Sequence, residues 1–378
     1  MLQRLIPFTQ HYSWGDLNHE CAVARLVEGN GNDLGDVPYA EFWMGAHKNG
    51  MNQVVTPGGA VPLDVFIESH PEFREAQGPT ELPFLLKVLS CGQPLSLQSH
   101  PSLEDARRLH AEQPNVYRDP NHKPEMTVAL SEEFEALCGF YPRHVVEKFA
   151  ARFPSLQAVV DPSLSNDRDF YLHAFSKLLQ VKDTAEGARL LHAVKSEALD
   201  DSQIEVLFRR VLSYFPDDPT AIAVFLLQYH LLKKGDAVFV GPNRIHAYLK
   251  GDCVECMACS DNVIRGGLTP KFIDKENLVK LLNFEAGGEA PVVPRQISAG
   301  HSIYDSPVPE FEIHRMTTTV YRLPTASPMI LVCVEGQGHV VSAGQTQKLE
   351  VGTVVLVARG AEIEIRGEAV VFGAHARR

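Results

Sequence analysis

Short apolar runs, separated by Gly, Pro and Asn, dominate the first 141 residues and indicate β-strands. The segment 83–90 (PFLLKVLS) is apolar almost throughout, so it predicts a strand that is buried on both faces. A second strand is predicted over 94–98 (PLSLQ). Ser102, followed by Glu104 and Asp105, predicts the N-cap of a helix over 102–113.

The pattern changes between residues 143 and 230, where apolar residues recur at spacings of three and four. Breaks rich in Asp and Pro, at 161–163 and 217–219, divide this part of the chain. We therefore expect an all-α block with helices over 145–153, 168–180, 184–196, 202–214 and 220–230.

Strand patterning resumes at residue 231, with a clear run over 235–240 (GDAVFV). After residue 287 a Pro-rich stretch leads to apolar runs over 329–335, 352–358 and 361–366, separated by Gly turns. Such a succession is typical of small jelly-roll barrels. The pattern thus predicts a mainly β protein: a β lobe interrupted by a helical insertion, then a second β lobe.

The composition and charge of the chain argue against several classes of protein. The chain has 378 residues, 44% of them hydrophobic, which is typical of a globular protein. A formal net charge of −12 argues against nucleic-acid binding, because that needs a basic face. No apolar run reaches transmembrane length and no secretory signal is evident at the start, so we expect a cytoplasmic protein with no membrane partner. The seven Cys residues are too sparse for a disulfide scaffold.

Four residues form a candidate site for a divalent metal. Gln98 and His100 lie two apart and share a face if 97–101 (LQSHP) is extended. Glu125 follows His122 and Lys123 in the segment HKPE. Together with His246 these residues would leave coordination positions open, as catalytic metal sites do. Each fragment alone could equally be structural: a surface His, a charged loop or a satisfied buried His.

The stretch 241–274 adds the chemistry around the metal. Glu255 lies in CVECMAC (253–259), whose thiols alternate between strand faces and therefore suggest buried cysteines, not an iron–sulfur site. Glu255 itself could be an acid/base group or a paired buried carboxylate. Arg265 could bind a phosphate or stabilise an oxyanion, or form a surface salt bridge. Tyr248 would share a face with His246.

Further candidates come from the flanking segments. Lys87 is a charge within an apolar strand, which is unfavourable unless it is paired or functional. Ser96, two residues before Gln98, could donate to a phosphate, and Trp14 is a candidate wall residue. Additional polar candidates for substrate binding are Asp261, Asn262 and Lys271.

These residues resemble the type I phosphomannose isomerases. The resemblance runs in the family's order from the N-terminus to about residue 274 and continues more weakly beyond it. The segments that carry it are YSWG (12–15), AEFWMGAH (40–47), 84–90, 94–101, 119–126 and, above all, 246–271. The resemblance implies a cupin core over 1–142 and 231–286, a helical insertion over 143–230 and a C-terminal jelly roll over 287–378.

It also implies one Zn²⁺ per chain and a set of roles. Gln98, His100, Glu125 and His246 match the zinc ligands, and Arg265 matches an active-site arginine. The reaction implied is the interconversion of mannose 6-phosphate and fructose 6-phosphate through a cis-enediol, with Glu255, Lys123 or His122 as the group that moves the proton. The remaining matches, for substrate binding, are Trp14, Lys87, Ser96, Tyr248, Asp261, Asn262 and Lys271.

The sequence departs from the family pattern at two places. Ser99 replaces the usual aliphatic residue, and Arg244-Ile245 stands where a Pro is expected.

Two other functions are alternatives to this isomerase. They are a metal-dependent cupin that acts on another sugar phosphate and a non-catalytic cupin that binds sugar phosphates. A monomer is favoured over an oligomer, with a small sugar phosphate as the partner.

Overall fold

The structure is a computed structural model that describes residues 1–76, 82–197, 200–323 and 326–377. Strands dominate it. Up to residue 267 they run over Leu2–Ile6 (β1), Phe8–Gln10 (β2), Glu41–Met44 (β3), Gln53–Thr56 (β4), Gly59–Pro62 (β5), Phe84–Cys91 (β6), Leu97–Ser99 (β7), Glu125–Ala129 (β8), Phe134–Phe140 (β9), Leu227–Leu232 (β10), Ala237–Val240 (β11), His246–Ala258 (β12) and Ile264–Gly267 (β13). They continue over Pro291–Val292 (β14), Arg295–Ser298 (β15), His301–Tyr304 (β16), Glu312–Met316 (β17), Thr319–Arg322 (β18), Met329–Glu335 (β19), Gln337–Ser342 (β20), Gln345–Glu350 (β21), Val354–Val357 (β22), Glu362–Gly367 (β23) and Val370–His375 (β24).

The α-helices run over Ala22–Gly29 (α1), Leu63–Ser69 (α2), Leu103–Glu112 (α3), Arg143–Arg152 (α4), Asp167–Val181 (α5), Ala185–Glu197 (α6), Gln203–Tyr214 (α7) and Lys275–Leu281 (α8). Short 3₁₀ helices cover Pro71–Phe73, Pro154–Ala158 and Pro219–Phe225. The predicted cap is confirmed, because the Ser102 hydroxyl accepts a hydrogen bond from the backbone N–H of Asp105. Among the described residues no helix is both long and apolar enough to cross a membrane.

The predicted mainly β class with a helical insertion is confirmed. Helices α4 to α7 correspond to four of the predicted helices, with ends that differ by at most two residues. The fifth, over 220–230, is wrong: residues Pro219–Phe225 form a buried 3₁₀ helix, and Leu227–Leu232 is a strand that pairs with β9. Residues 221–227 are all apolar, so they carry no periodicity, and the pairing partner decides the structure.

One long strand, β12, connects the two halves of an eleven-stranded sheet. Its first residues pair with β9 and β7, and its second half lies between β6 and β8. The change of partners occurs near Gly251, whose φ of 105° a larger residue would rarely adopt and where a Cβ would lie 2.6 Å from the carbonyl oxygen of Glu133. Strand β12 therefore carries His246 at one end and Glu255 near the other.

A nine-stranded sheet joins the two ends of the chain. Its order is β15-β16-β17-β24-β19-β22-β1-β4-β5, so β1 lies between β22 and β4. Leu2 pairs with Val357, and Leu5 pairs with both Val354 and Val54. N-terminal strands thus complete the sheet that the C-terminal residues form.

The large sheets share a hydrophobic core. Phe42 and Val254 from the eleven-stranded sheet belong to the same buried cluster as Ile330, Val354 and Phe372 from the nine-stranded sheet. Because this cluster takes residues from both ends of the chain, the removal of either end would expose apolar surface that the other end covers.

Arg210 of α7 fixes the helical insertion to the sheet. Its guanidinium donates two hydrogen bonds to the carboxylate of Glu135 on β9, and the hydroxyl of Tyr229 on β10 donates a third at 2.9 Å. Burial raises the pKa of Glu135, but the hydrogen bonds and charge of Arg210 outweigh it and the net pKa lies below the usual value. This carboxylate is therefore stabilised in its ionised form in the folded protein.

We expect Glu135→Gln to lower stability by about 1–3 kcal/mol at neutral pH, because a charge-assisted pair is lost. Since the folded pKa of Glu135 is lowered, its contribution is complete above the unfolded value of about 4.3 and disappears as the pH falls through the folded value. Thermal midpoints of the native protein and the variant, measured from pH 7 downward, should therefore converge in acid. A difference that stays constant with pH would contradict this assignment, and Glu133→Gln on the exposed neighbouring turn is the control.

Candidate active site

His100, Glu125 and His246 come together in the interior. The Nε2 of His100 lies 3.4 Å from one oxygen of Glu125, and the Nε2 of His246 lies 3.2 Å from the other. All three side chains are at most 2% exposed. Strands β7, β8 and β12 supply or flank these residues, and the pairing of Gln98 with His246 brings the fourth predicted ligand opposite the cluster.

Backbone carbonyls orient both imidazoles. The Nδ1 of His100 lies 2.7 Å from the carbonyl oxygen of Asn262, and the Nδ1 of His246 lies 3.0 Å from that of Arg244. A carbonyl oxygen only accepts, so each Nδ1 carries a proton and each ring directs its Nε2 at Glu125. The two Nε2 atoms and Oε2 of Glu125 have no hydrogen-bond partner within the part of the chain that the structure describes. Buried acceptors that face one another fit a divalent cation, which would satisfy all three.

The charge on Glu125 is maintained by a neighbouring lysine. Burial would raise the pKa of Glu125, but Lys123, whose Nζ lies 3.0 Å away, and His100 hold it well below its usual value. Burial lowers the pKa of His100 to about 4. The carboxylate is thus ionised and the imidazole neutral near pH 7, which are the protonation states that metal binding requires.

The cluster adjoins a cavity of about 420 Å³. Most of the residues predicted from the sequence line it: Trp14, Lys87, Ser96, Gln98, Lys123, Glu125, Tyr248, Glu255, Asp261, Arg265 and Lys271. A cavity of this size suits a small polar metabolite.

Lys87 forms a buried charge cluster in the wall of this cavity. Its Nζ lies 3.1 Å from Glu255 and 3.3 Å from Glu41, and all three side chains are at most 10% exposed. Burial opposes the charge on Lys87, but the two carboxylates raise its pKa above the ordinary value. Burial raises the pKa of Glu255, and Lys87 counters part of that effect. The sequence predicted that a charge at Lys87 would be paired or functional, and the structure shows that it is paired with two carboxylates.

Arg265 and Lys271 differ from the other cations of the cavity. Among the described residues, neither forms an ion pair with a carboxylate. Arg265 is half-buried, which lowers the pKa of its guanidinium, and it pairs through its backbone with Gln98. Lys271 is exposed at the cavity rim. In a chain of net charge −12, two such cations at one cavity mark a place for an anion.

Four residues predicted for the site are not among the described residues that line the cavity: His100 and His246, which lie in the buried cluster beside it, and His122 and Asn262. His122 is turned toward the C-terminal part of the chain, where its Nε2 lies 2.8 Å from Glu310. Asn262 is buried, and its amide donates to the carbonyl oxygens of Asp119 and Asn121. That bonding fixes the loop whose Asn262 carbonyl orients His100, so Asn262 supports the metal ligands instead of facing a substrate.

Sequence reasoning assigned no role to several wall residues, among them Glu41 and His47, and it treated Trp43 only as a core or wall residue. The indole N–H of Trp43 donates to Glu41, and His47 lies 3.3 Å from Asp261. The alternation of Glu41 and Trp43 on β3 could have placed both on the face that meets Lys87. The cysteines follow the prediction: Cys253 and Cys256 are buried, and burial raises the pKa of both thiols well above the usual value.

Comparisons with known proteins agree with this geometry. Residues 2–143 match the family model described as phosphomannose isomerase type I, catalytic domain. The human protein named mannose-6-phosphate isomerase is 33% identical over 410 residues, which cover 96% of this chain and 95% of the relative. The corresponding protein of Macaca fascicularis is 36% identical over 372 residues, 88% of each chain.

Solved structures of the same kind share the whole fold. A crystal structure of a mutant phosphomannose isomerase from Salmonella typhimurium covers 100% of both chains, with 28% identity and a TM-score of 0.91. A zinc-bound structure of mannose 6-phosphate isomerase has a TM-score of 0.89 at 28% identity, again over 100% of both chains. The chain belongs to the type I phosphomannose isomerase family.

Proposed function

We propose that this protein is a zinc-dependent isomerase that interconverts mannose 6-phosphate and fructose 6-phosphate. The observation that carries the proposal is the group of buried acceptors on His100, Glu125 and His246, which find no hydrogen-bond partner among the described residues and lie beside a cavity lined by the cations Arg265 and Lys271. The names of the relatives and the zinc in the solved structure support the same reaction and metal.

Gln98, His100, Glu125 and His246 would hold the zinc ion. Two imidazole nitrogens, one carboxylate oxygen and one amide oxygen suit Zn²⁺ and leave room for substrate oxygens. The bound metal supplies Lewis-acid polarisation of the sugar's C1 and C2 oxygens. Lys123 and the carbonyl oxygens of Arg244 and Asn262 keep the ligands charged and oriented.

The phosphate and the reacting carbons would contact different residues. Lys271 at the rim and the hydroxyl of Ser96 would bind the phosphate. Arg265, beside Gln98, would stabilise the negative charge that develops as a proton leaves carbon. Lys87 is neutralised by Glu41 and Glu255, so its part is to keep Glu255 in place. Trp14, Tyr248 and Asp261 would form the walls that position the sugar.

Glu255 is the proposed carrier of the carbon-bound proton. Its carboxylate would take the proton from C2 of the aldose while the C1 carbonyl oxygen gains a proton, which gives a cis-enediol. The carboxylate would then return its proton to C1 while the C2 hydroxyl loses its proton to form the ketone, so that the net hydroxyl proton transfer is from the C2 oxygen to the C1 oxygen. Burial raises the pKa of Glu255 above its usual value, although Lys87 counters part of this effect, and a raised pKa makes the carboxylate a stronger base. Lys123 is committed to Glu125 and His122 to Glu310, so both are weaker candidates.

The primary test is formation of fructose 6-phosphate from mannose 6-phosphate by the purified protein. We expect turnover that disappears after treatment with EDTA and returns on addition of Zn²⁺, because the unsatisfied acceptors require a cation. No turnover by zinc-loaded protein would contradict the proposal. Turnover of a different sugar phosphate in a parallel panel would shift the function to another isomerase of the same chemistry, and binding without turnover would indicate a sensor.

Replacement of Glu255 tests the proton carrier. Glu255→Gln should lower kcat by about 10²–10⁴, the usual contribution of acid–base catalysis. Glu41→Gln, which removes the other carboxylate beside Lys87, is the matched control and should have a smaller effect. In deuterated water the native enzyme should place deuterium at C1 of the product. Unchanged kcat in zinc-loaded Glu255→Gln would remove Glu255 from this role.

Replacement of Lys271 tests the phosphate end. A charge-assisted hydrogen bond contributes about 1.5–3 kcal/mol, so Lys271→Met should lower kcat/KM by about 10- to 100-fold, mainly through KM. Lys275→Met is the control, because Lys275 is an exposed lysine at the start of α8 that does not line this cavity. Equal effects of the two substitutions, or a loss confined to kcat, would contradict phosphate binding by Lys271.

A further inference from the structure

A second group of imidazoles and a carboxylate lies in the C-terminal part of the chain. Glu312 and His314 alternate on β17 and therefore share a face, and His375 on β24 pairs directly with Glu312. All three side chains are buried and present one ligand atom each within 4.8 Å of the others. None of them belongs to the catalytic cavity, and no role assigned above uses them.

The residue types match those of the first cluster, but here both imidazoles face the same carboxylate oxygen. One oxygen of Glu312 lies 3.1 Å from the Nε2 of His314 and 3.2 Å from the Nε2 of His375. The Nδ1 of His375 donates to the carbonyl oxygen of Ala376 at 2.8 Å, and the Nδ1 of His314 lies 2.9 Å from the Nε2 of His301. Neighbouring groups thus orient both rings and leave each Nε2 facing the carboxylate, as they do for metal ligands.

A third imidazole borders the group, because the Nε2 of His301 lies beside the Nδ1 of His314. The buried Nδ1 of His301 has no hydrogen-bond partner among the described residues, which leaves this polar network incomplete.

We propose that Glu312, His314 and His375 form a second zinc-type site, additional to the catalytic one and independent of the isomerase reaction. Two imidazole nitrogens and a carboxylate oxygen are a donor set that Zn²⁺ accepts, and the hydroxyl of Tyr321, 3.4 Å from the Nε2 of His375, is placed to complete or to border the coordination. Tyr321 lies on β18 in the four-stranded sheet, whereas the ligands lie on the nine-stranded sheet. The cation would therefore join two sheets, and because its ligands are buried its role would be structural.

The experiment is a measurement of metal content on the full chain. Protein that has been dialysed against Zn²⁺ and desalted should contain two zinc ions per chain by mass spectrometry. His375→Gln should contain one and keep its isomerase activity, while the exposed control His339→Gln should contain two. Native protein with a single zinc, or His375→Gln with two, would overturn the proposal and identify the cluster as an ion-paired hydrogen-bond network.

A second variant covers the case in which His375→Gln fails to fold. The double variant His100→Gln/His246→Gln lacks the catalytic ligands and should still bind one Co²⁺, with the intense visible absorption of a low-coordinate site. Its thermal midpoint should rise on addition of Zn²⁺, because a ligand that binds only the folded state stabilises it. Absence of both the absorption and the thermal shift would overturn the second site, and the result does not depend on isomerase activity.

Discussion

The structure depends on the compensation of charges that are buried together. A carboxylate in the interior is stable only if cations or hydrogen-bond donors surround it, and here Glu41 and Glu255 lie within 3.3 Å of the Nζ of Lys87 and Glu125 lies 3.0 Å from that of Lys123. Lys87 compensates two of them and Lys123 the third. Because these residues come from β3, β6, β8, β12 and an adjoining loop, the strands must hold their register for the charges to meet. The positions of these side chains beside the cavity thus depend on the pairing of the charges that are buried in the sheet.

The buried imidazoles that face these carboxylates are oriented by the main chain. In each cluster a histidine Nδ1 donates to a backbone carbonyl, and the opposite nitrogen is directed at a carboxylate. The strand residue that supplies the carbonyl therefore determines which nitrogen is available. Orientation by the main chain needs no additional side chain, so such a site can be built wherever two strands bring a His beside a Glu. The clusters around Glu125 and Glu312 are two cases of this in one chain.

Local patterning predicted much of the fold. The apolar spacing of α4 to α7 and the run of β6 were read correctly, because burial dictates both. Residues 220–230 were not, since an unbroken apolar run fits either conformation until β9 is present as a partner. In the site, alternation and the family resemblance predicted a ligand set of which the structure brings His100, Glu125 and His246 together, but the directions of His122 and Asn262 depend on loops. Glu312, His314 and His375 were overlooked because 61 positions separate His314 from His375 and only the pairing of β17 with β24 unites them. The domain boundaries, the monomeric state and the cytoplasmic location remain predictions.

The position of β1 between β22 and β4 has a consequence for how the protein forms. Strand β1 is synthesised long before residues 354–357, so one of its two hydrogen-bonding edges stays open until those residues have been made. Pairing between strands that are far apart in the sequence is slow, and an open strand edge can pair with other chains in the meantime. Newly made chains therefore pass through a period in which the N-terminal strands need protection, and chains that terminate early never leave it.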